Sequence, residues 1–133
     1  MNPSRAAALV RLAAAADGET VLDPCGGIGL LAIEAAAFAA VAAISLDIDP
    51  AACDAASANV TAASAGILRG QVEVRCGDAL ASGLPGNSVD LAVADLPFGV
   101  LHPRLDVGAL LRELWRVLRP GGRALLVHHP PLS

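Results

Sequence analysis

The sequence predicts an α/β fold in which helices cover both faces of one mostly parallel sheet. Helical and strand patterns alternate along its 133 residues, and the strand patterns are almost continuously apolar, as in strands buried on both faces. A glycine-rich turn, DPCGGIG from Asp23 to Gly29, joins the first strand to the next helix. Because parallel crossovers are right-handed, we expect three α/β/α layers and the strand order 3-2-1-4-5.

Capping residues and apolar runs define the elements of the first half. Asn2 and Pro3 form an N-cap followed by proline at the first helical position, and Asp49 and Pro50 repeat this arrangement before the third helix. Short apolar runs between the helices predict buried strands. The predicted elements are helix 3–16, strand 19–23, helix 30–40, strand 43–47 and helix 50–64.

The second half predicts three more strands and one amphipathic helix. Leu110, Leu114 and Val117 recur at helical spacing, with arginines on the other faces. The segment RPGG, residues 119–122, ends this helix and leads into the last strand. The predicted elements are strand 71–75, strand 88–95, a helix around 110–118 and strand 124–127.

Composition and charge favour a single domain with an aliphatic core. Hydrophobic residues make up 55% of the chain and aromatic residues 2%. All nine basic residues are arginine, they do not cluster, and the net charge is −4, so this chain alone lacks the stripe of charge that neutralises phosphates. No apolar run reaches the ~18 residues of a membrane span, and no leader pattern opens the chain. We therefore expect a cytoplasmic protein without a membrane partner.

The cysteines and histidines do not predict a metal site. Cys25, Cys53 and Cys76 are odd in number and lack C-x-x-C spacing, which indicates free thiols. His128 and His129 are adjacent on the last strand, where neighbouring side chains point to opposite faces.

The predicted topology places a ligand crevice beyond the carboxyl ends of strands 1 and 4. Gly26, Gly27 and Gly29 can adopt positive φ and leave room for a ligand that approaches the backbone. This turn alone leaves two cofactor classes open, because residues 27–32 also match the dinucleotide form G-x-G-x-x-A.

Three carboxylates favour an aminoacyl cofactor. Asp23 precedes the glycines, where a carboxylate would repel a pyrophosphate but stabilise a cationic amino-acid group. Asp47 ends strand 2, where it can accept both ribose hydroxyls, and Asp78 follows strand 3, where it can accept from an adenine amino group. Each also has a plain structural interpretation: Asp23 and Asp47 as helix caps, and Asp78 as a turn residue.

Five motifs occur in a fixed order along the chain. LDPCGGIG, LDIDP, CGDA and DLPFG come at the ends of strands 1 to 4, and LRPGG precedes strand 5. In this arrangement the chain resembles the class I S-adenosylmethionine-dependent methyltransferases, which have a Rossmann-like doubly wound sheet. The resemblance implies S-adenosylmethionine as the cofactor. The implied cofactor-binding residues are Asp23, Pro24, Gly27, Gly29, Asp47, Ile48, Asp78 and Ala79.

Within that class, LDPCGGIGLLAIEAA and DLPFG are most similar to the catalytic domain of THUMP-domain RNA methyltransferases. This resemblance implies methylation of the exocyclic N2 amine of guanosine in tRNA or another structured RNA. Asp95 and the Leu96 carbonyl would accept the amine N–H groups, Pro97 would stiffen the turn, and Phe98 would stack on the target base. Methyltransferases acting on N6 of adenine use related motifs, so that substrate stays open.

The chain also departs from the family pattern. It begins just before strand 1, without a THUMP domain, and stops after strand 5, so residues 1–133 are expected to form a single partial catalytic domain that lacks strands 6 and 7. Gly26 replaces the larger residue often found there. Strand 5 would be an exposed edge available for self-association, and RNA binding would need an additional domain or subunit.

Three other functions remain open. The chain could be a non-catalytic or partner-dependent cofactor-binding remnant of such an enzyme, a small-molecule methyltransferase, or, less favoured, an NAD-dependent dehydrogenase. The intact DLPFG segment favours the enzyme, because an idle site has no reason to retain it.

Overall fold

The computed structural model describes residues 1–97 and 105–128. Helices and strands follow one another in the order that the sequence predicted. The helices are α1 (Pro3–Ala13), α2 (Leu30–Phe38), α3 (Pro50–Ala63) and α4 (Val107–Val117), and the strands are β1 (Thr20–Asp23), β2 (Ala42–Asp47), β3 (Gln71–Cys76), β4 (Val89–Asp95) and β5 (Leu118–Val127). Across the described ranges, no helix combines the length and the apolar character that a membrane crossing requires.

The five strands form one sheet in the order β3-β2-β1-β4-β5. Every neighbouring pair is parallel, which confirms the predicted topology. The order reverses between β1 and β4, so the crevice expected at the carboxyl ends of these strands has a structural basis.

Alternate residues of the central strands supply two separate cores, one on each face of the sheet. On one face Val21 and Leu91 pack with α1 and α2. On the other face Leu22 and Ala92 pack with α4. Since each fully buried Leu or Val side chain contributes roughly 1.5–3 kcal/mol, both faces stabilise the sheet, and the three-layer arrangement is confirmed.

Helix α1 ends earlier than predicted. The Asn2 side chain accepts the Arg5 N–H at 2.8 Å, as expected of an N-cap. At the other end Ala14 adopts a left-handed conformation with φ of 56°, and its N–H bonds to the Arg11 carbonyl. The alanine-rich sequence conceals this stop, because Ala14 carries no turn signal.

Strand β5 begins earlier than predicted, at Leu118 instead of Ala124. Leu118 pairs with Val89, and pairing then resumes between Arg123 and Leu91 after a register shift. The intervening residues bulge out of the ladder with Gly121 at φ of 80°. A Cβ on Gly122 would lie 2.8 Å from the Arg119 carbonyl. Since α4 ends at Val117, RPGG does not end the helix as predicted but forms a bulge within the strand.

Candidate active site

The carboxylates singled out in the sequence lie at one edge of the sheet. Asp23, Asp47 and Asp95 are the last residues of β1, β2 and β4, and Asp78 follows β3. Because all the strands are parallel, their carboxyl ends share that edge. The sheet topology therefore brings together residues that are far apart in the chain.

Asp23 is the carboxylate most affected by its surroundings. It is 3% exposed, and one carboxylate oxygen accepts the Cys25 N–H at 3.0 Å. Its pKa is raised to about 7, chiefly by burial and in addition by the negative charges of Asp47 and Asp95, against the opposing effect of that hydrogen bond. Asp47 and Asp95 are thus close enough to Asp23 to interact with it electrostatically.

The glycine-rich turn wraps around the Asp47 carboxylate. Gly27 has φ of 55° and Gly29 has φ of 90°, and this backbone directs the Gly27 N–H to Asp47 Oδ2 at 2.8 Å. The Gly26 N–H bonds to the Leu46 carbonyl at 2.7 Å. The positive φ values explain why glycine is required at positions 27 and 29.

Gly26 is required for a different reason, which is close packing. A Cβ at this position would collide with the hydroxyl of Ser45, a buried residue of β2. The sequence shows that Gly26 departs from the family pattern, but it does not reveal that Ser45 is its partner. The space that a larger residue would occupy is filled from the neighbouring strand.

Helix α3 anchors the same turn from the outside. The Asn59 side-chain amide donates to the Ile28 carbonyl at 2.9 Å, and the second Asp47 oxygen accepts the Asp49 N–H at 2.9 Å. Asp49 caps α3 by accepting the Ala51 N–H. Asn59 was not predicted as a site residue, because nothing in a single helical sequence reveals which loop its side chain contacts.

Two further predicted cofactor-binding residues, Asp78 and Ala79, lie in a tight turn after β3. Asp78 Oδ1 accepts the Leu80 N–H at 2.9 Å, and Asp78 forms a bridge with Ala81. This is the geometry of an ordinary turn residue, which was the alternative to a cofactor-binding role for Asp78. Asp78 is exposed at the carboxyl edge of the sheet. Of the remaining two, Pro24 is fully buried and Ile48 is exposed.

Asp95 pairs with a residue that the sequence did not single out. Arg5 Nη2 of α1 lies 3.2 Å from Asp95 Oδ2, with the side chains 41% and 16% exposed, respectively. The next residue, Leu96, is buried, and its N–H donates to the Val127 carbonyl of β5 at 2.9 Å. Pro97 is described, whereas Phe98, Gly99 and His129 lie outside the described residues.

A surface groove of about 390 Å³ lies elsewhere, between α1 and α2. Ala7, Val10 and Phe38 contribute to its walls, and none of the predicted site residues lines it. The carboxylate edge is favoured as the site because its residues are charged, partly buried and electrostatically coupled.

A family model described as "Methyltransferase domain" matches residues 21–122. This chain belongs to the methyltransferase domain family. The matched range includes the glycine-rich turn and all three strand-end carboxylates. Membership confirms the resemblance to S-adenosylmethionine-dependent methyltransferases, with S-adenosylmethionine as the cofactor.

Relatives of this methyltransferase domain include an RNA-modifying enzyme. The U6 snRNA (guanine-N(2))-methyltransferase THUMPD2 of Bos taurus is 34% identical over 132 residues, which is 95% of this chain and 26% of that protein. The corresponding human protein is 31% identical over the same share of this chain. This methyltransferase domain therefore spans about a quarter of the length of the curated relatives it matches.

Solved structures confirm the methyltransferase fold. TrmN from Thermus thermophilus has a TM-score of 0.75 and 30% identity, covering 95% of this chain and 38% of that chain. Geranyl diphosphate C-methyltransferase from Streptomyces coelicolor has a TM-score of 0.79 at 18% identity, covering 92% and 42%. The second likeness shows the fold alone.

The carboxylate edge of this methyltransferase domain fits S-adenosylmethionine by charge. Asp23 is buried beside two other carboxylates, an arrangement that is costly unless a cation neutralises it. The cofactor carries an ammonium group and a sulfonium group, and the glycine-rich turn leaves open space at Gly27. A pyrophosphate would add repulsion at the same place.

Proposed function

We propose that this chain is the catalytic core of an S-adenosylmethionine-dependent methyltransferase that acts on the exocyclic N2 amine of guanosine in a structured RNA. The observation that carries the proposal is the position of Asp95, the first residue of DLPFG, at the same edge of the sheet as Asp23 and Asp47 and near enough to Asp23 for its charge to raise the pKa of that carboxyl. Asp95, which would bind the target amine, thus lies beside Asp23 and Asp47, the carboxylates proposed to bind the cofactor. The names of the THUMPD2 relatives support guanine N2 in RNA as the target.

The carboxylates and the glycine-rich turn have distinct roles in this proposal. Asp23 faces the cationic amino-acid group, Asp47 accepts from the ribose hydroxyls, and Asp78 with Ala79 borders the adenine. Pro24, Gly27, Gly29 and Ile48 complete the contact surface. The bound cofactor supplies an electrophilic methyl group on a positively charged sulfur.

Asp95 and the Leu96 carbonyl orient the target nitrogen. An exocyclic amine is a weak nucleophile, because its lone pair is delocalised into the ring. When these two oxygens accept its N–H groups, the nitrogen is held in line with the methyl carbon and becomes more pyramidal as the new bond forms. Asp95 then faces the proton that the methylated amine releases, so no stronger base is required.

Arg5 keeps Asp95 in place for this role. Its guanidinium contacts Asp95 Oδ2 at 3.2 Å from the first turn of α1. Pro97 and Phe98 are proposed, from the sequence alone, to stiffen the turn and to stack on the base.

Recruitment of RNA requires more surface than the described residues offer. The net charge is −4, and RNA binding depends on phosphate neutralisation. We propose that an additional domain or subunit supplies the basic surface. Self-association through the edge strand β5 is a second way to enlarge it.

Labelled methyl transfer tests the proposal. Purified protein is incubated with methyl-labelled S-adenosylmethionine and, separately, U6 snRNA and tRNA transcripts, followed by nucleoside analysis. N2-methylguanosine in either RNA supports the proposal and identifies the substrate, whereas N6-methyladenosine as the product contradicts it. Binding of the cofactor without transfer favours the partner-dependent alternative.

We expect Asp95→Asn to reduce transfer at least about 100-fold, the order of magnitude expected when one charge-stabilising group is removed, with cofactor affinity retained. Calorimetry with S-adenosylmethionine checks the affinity. The matched control is Asp54→Asn, which removes an exposed carboxylate of α3 and should leave transfer unchanged. Loss of cofactor binding in Asp95→Asn would assign Asp95 a structural role instead.

A further inference from the structure

Two cysteine thiols meet beside the candidate cofactor-binding residues. Cys53 lies in the first turn of α3, and Cys76 is the last residue of β3. Cys53 Sγ donates to the Asp47 carbonyl at 3.4 Å, and Cys76 Sγ donates to the Ile48 carbonyl at 3.8 Å. Cys53 Sγ also donates at 3.7 Å to the carbonyl of Arg75, the residue before Cys76, and Cys76 is near enough to raise the pKa of Cys53. The two thiols thus lie against the carbonyls of the consecutive residues Asp47 and Ile48.

The two thiols differ in access. Cys53 is 8% exposed, whereas Cys76 is exposed. Burial above all, and then the neighbouring Cys76, raises the pKa of the Cys53 thiol to about 11. Cys53 is therefore protonated and shielded at neutral pH, and an external reagent meets Cys76 first.

We propose that Cys53 and Cys76 form a redox modification site that closes into an internal disulfide on reaction with a low-molecular-weight disulfide such as oxidised glutathione. The Cys76 thiolate attacks one glutathione sulfur, breaks the glutathione disulfide and releases one reduced glutathione. Cys53 then attacks the Cys76 sulfur and releases the second. Two electrons pass to glutathione, and the two thiol protons end on the released glutathione molecules.

The first step favours the second. Once Cys76 carries glutathione, its sulfur is the electrophile that a second thiol attacks. Cys53 lies near that sulfur, so the step benefits from proximity. Cys25, by contrast, lies in the glycine-rich turn, where burial raises its pKa to about 12.

The consequence for the cofactor rests on the proposed function. Cys76 pairs in register with Asp47, and the next residue, Gly77, donates its N–H to the Asp47 carbonyl at 2.8 Å. A covalent bond from Cys76 to Cys53 ties the end of β3 to α3, and so constrains the backbone beside Asp47 and the turn that carries Asp78. We expect S-adenosylmethionine to bind about tenfold more weakly to the oxidised chain, as expected when one hydrogen bond is misplaced.

Mass spectrometry tests the modification itself. The full chain is treated with oxidised glutathione, and the expected product has lost two hydrogens, with Cys53 and Cys76 linked in the proteolytic map. Cys25→Ser should form the same bond, and Cys53→Ser should stop at a glutathione adduct on Cys76. A persistent glutathione adduct on the wild-type chain, or a bond that involves Cys25, overturns the proposal.

Calorimetry separates this proposal from the proposed function. Reduced and oxidised wild-type protein are titrated with S-adenosylmethionine, with Cys53→Ser under reducing conditions as the control for folding. Failure of reduced wild type to bind the cofactor contradicts the proposed function, whereas the mass-spectrometric result stands by itself. If reduced and oxidised wild type bind S-adenosylmethionine with equal affinity although the disulfide has formed, the proposed effect on the cofactor site is wrong.

Discussion

Asp23 illustrates how burial and neighbouring charge change the chemistry of one side chain. An ordinary aspartate is ionised at neutral pH, but Asp23 is enclosed at the end of β1 near Asp47 and Asp95, and its pKa rises to about 7. A proton or a cation must therefore compensate the cluster. The residue is well suited to a ligand that brings positive charge, and it reduces stability when that ligand is absent.

The raised pKa makes the free energy of unfolding depend on pH. Asp23 titrates near pH 3.8 in the unfolded chain and near pH 7 in the folded chain. As pH rises from about 4 to about 7, the unfolded chain loses this proton while the folded chain retains it, so stability falls, by about 4 kcal/mol from this residue. Asp23→Asn should remove that loss and be more stable than wild type at pH 8.

Urea unfolding at pH 4 and pH 8, without cofactor, measures the effect. The free energies of unfolding of wild type and Asp23→Asn should be nearly equal at pH 4 and should diverge as pH rises. Asp54→Asn, at an exposed position of α3, is the control and should follow wild type at both pH values. A constant difference across this range would mean that Asp23 acts through packing and not through its charge.

Helix α4 is attached to the loop that follows β3 through one carboxylate. Glu113, buried on α4, accepts both the hydroxyl and the N–H of Ser82 at 2.7 and 2.8 Å. Arg116 donates to Glu113 and also to the Leu84 carbonyl at 2.8 Å. This network fixes the far end of the loop that begins at Asp78, so an element on one face of the sheet positions residues at its edge.

Hydrogen bonds from Arg116, and then from Ser82, lower the pKa of Glu113 to about 2 against the opposing effect of burial. Because this pKa is depressed from 4.5, the stabilisation is complete above about pH 4.5 and is lost as pH falls toward 2. We expect Glu113→Gln to lower the free energy of unfolding by about 2 kcal/mol at pH 7, and by less at acidic pH.

Chemical denaturation at pH 7 and pH 3 tests this expectation. Glu73→Gln is the matched control, since Glu73 pairs with Arg75 at the surface, where an ion pair contributes little. An equal loss of unfolding free energy in Glu113→Gln and Glu73→Gln would contradict the anchoring role of Glu113.

Arg123 links elements that lie near the two ends of the chain. Arg123 of β5 donates to the Ala13 and Ala14 carbonyls, at 3.1 and 2.7 Å, and pairs with Glu19 at 2.7 Å. It therefore satisfies carbonyls at the end of α1 that no helical partner can reach. The turn between α1 and β1 is held in place by a residue more than a hundred positions later.

We expect Arg123→Gln to lower the free energy of unfolding by about 2–3 kcal/mol, since several hydrogen bonds with a charged donor are lost together. Arg75→Gln, which removes an arginine from an exposed pair, should cost little. Thermal unfolding of both variants provides the comparison. If Arg123→Gln melts like Arg75→Gln, the link does not stabilise the whole molecule.

The elements, their order and the parallel sheet followed from local signals in the sequence. The caps at Asn2 and Asp49 are confirmed, and each strand in the described ranges was predicted, although β5 begins six residues earlier than its apolar run. The family also followed from ordered motifs, and residues 21–122 match its model. The functional roles of Asp23, Asp47 and Asp95 stay predictions, although the topology that places them at one edge is confirmed.

Which distant side chains meet at that edge became visible in the packed layers. Arg5 reaches Asp95, Ser45 fills the space beside Gly26, and Cys53 bonds to the Arg75 carbonyl beside Cys76, yet none of these pairs is close in the chain. Periodicity and caps report the backbone of one segment, whereas such contacts depend on how helices and strands pack against each other. Burial, and with it the pKa of Asp23, is likewise a property of the assembled layers, because it depends on neighbours that the local sequence does not specify.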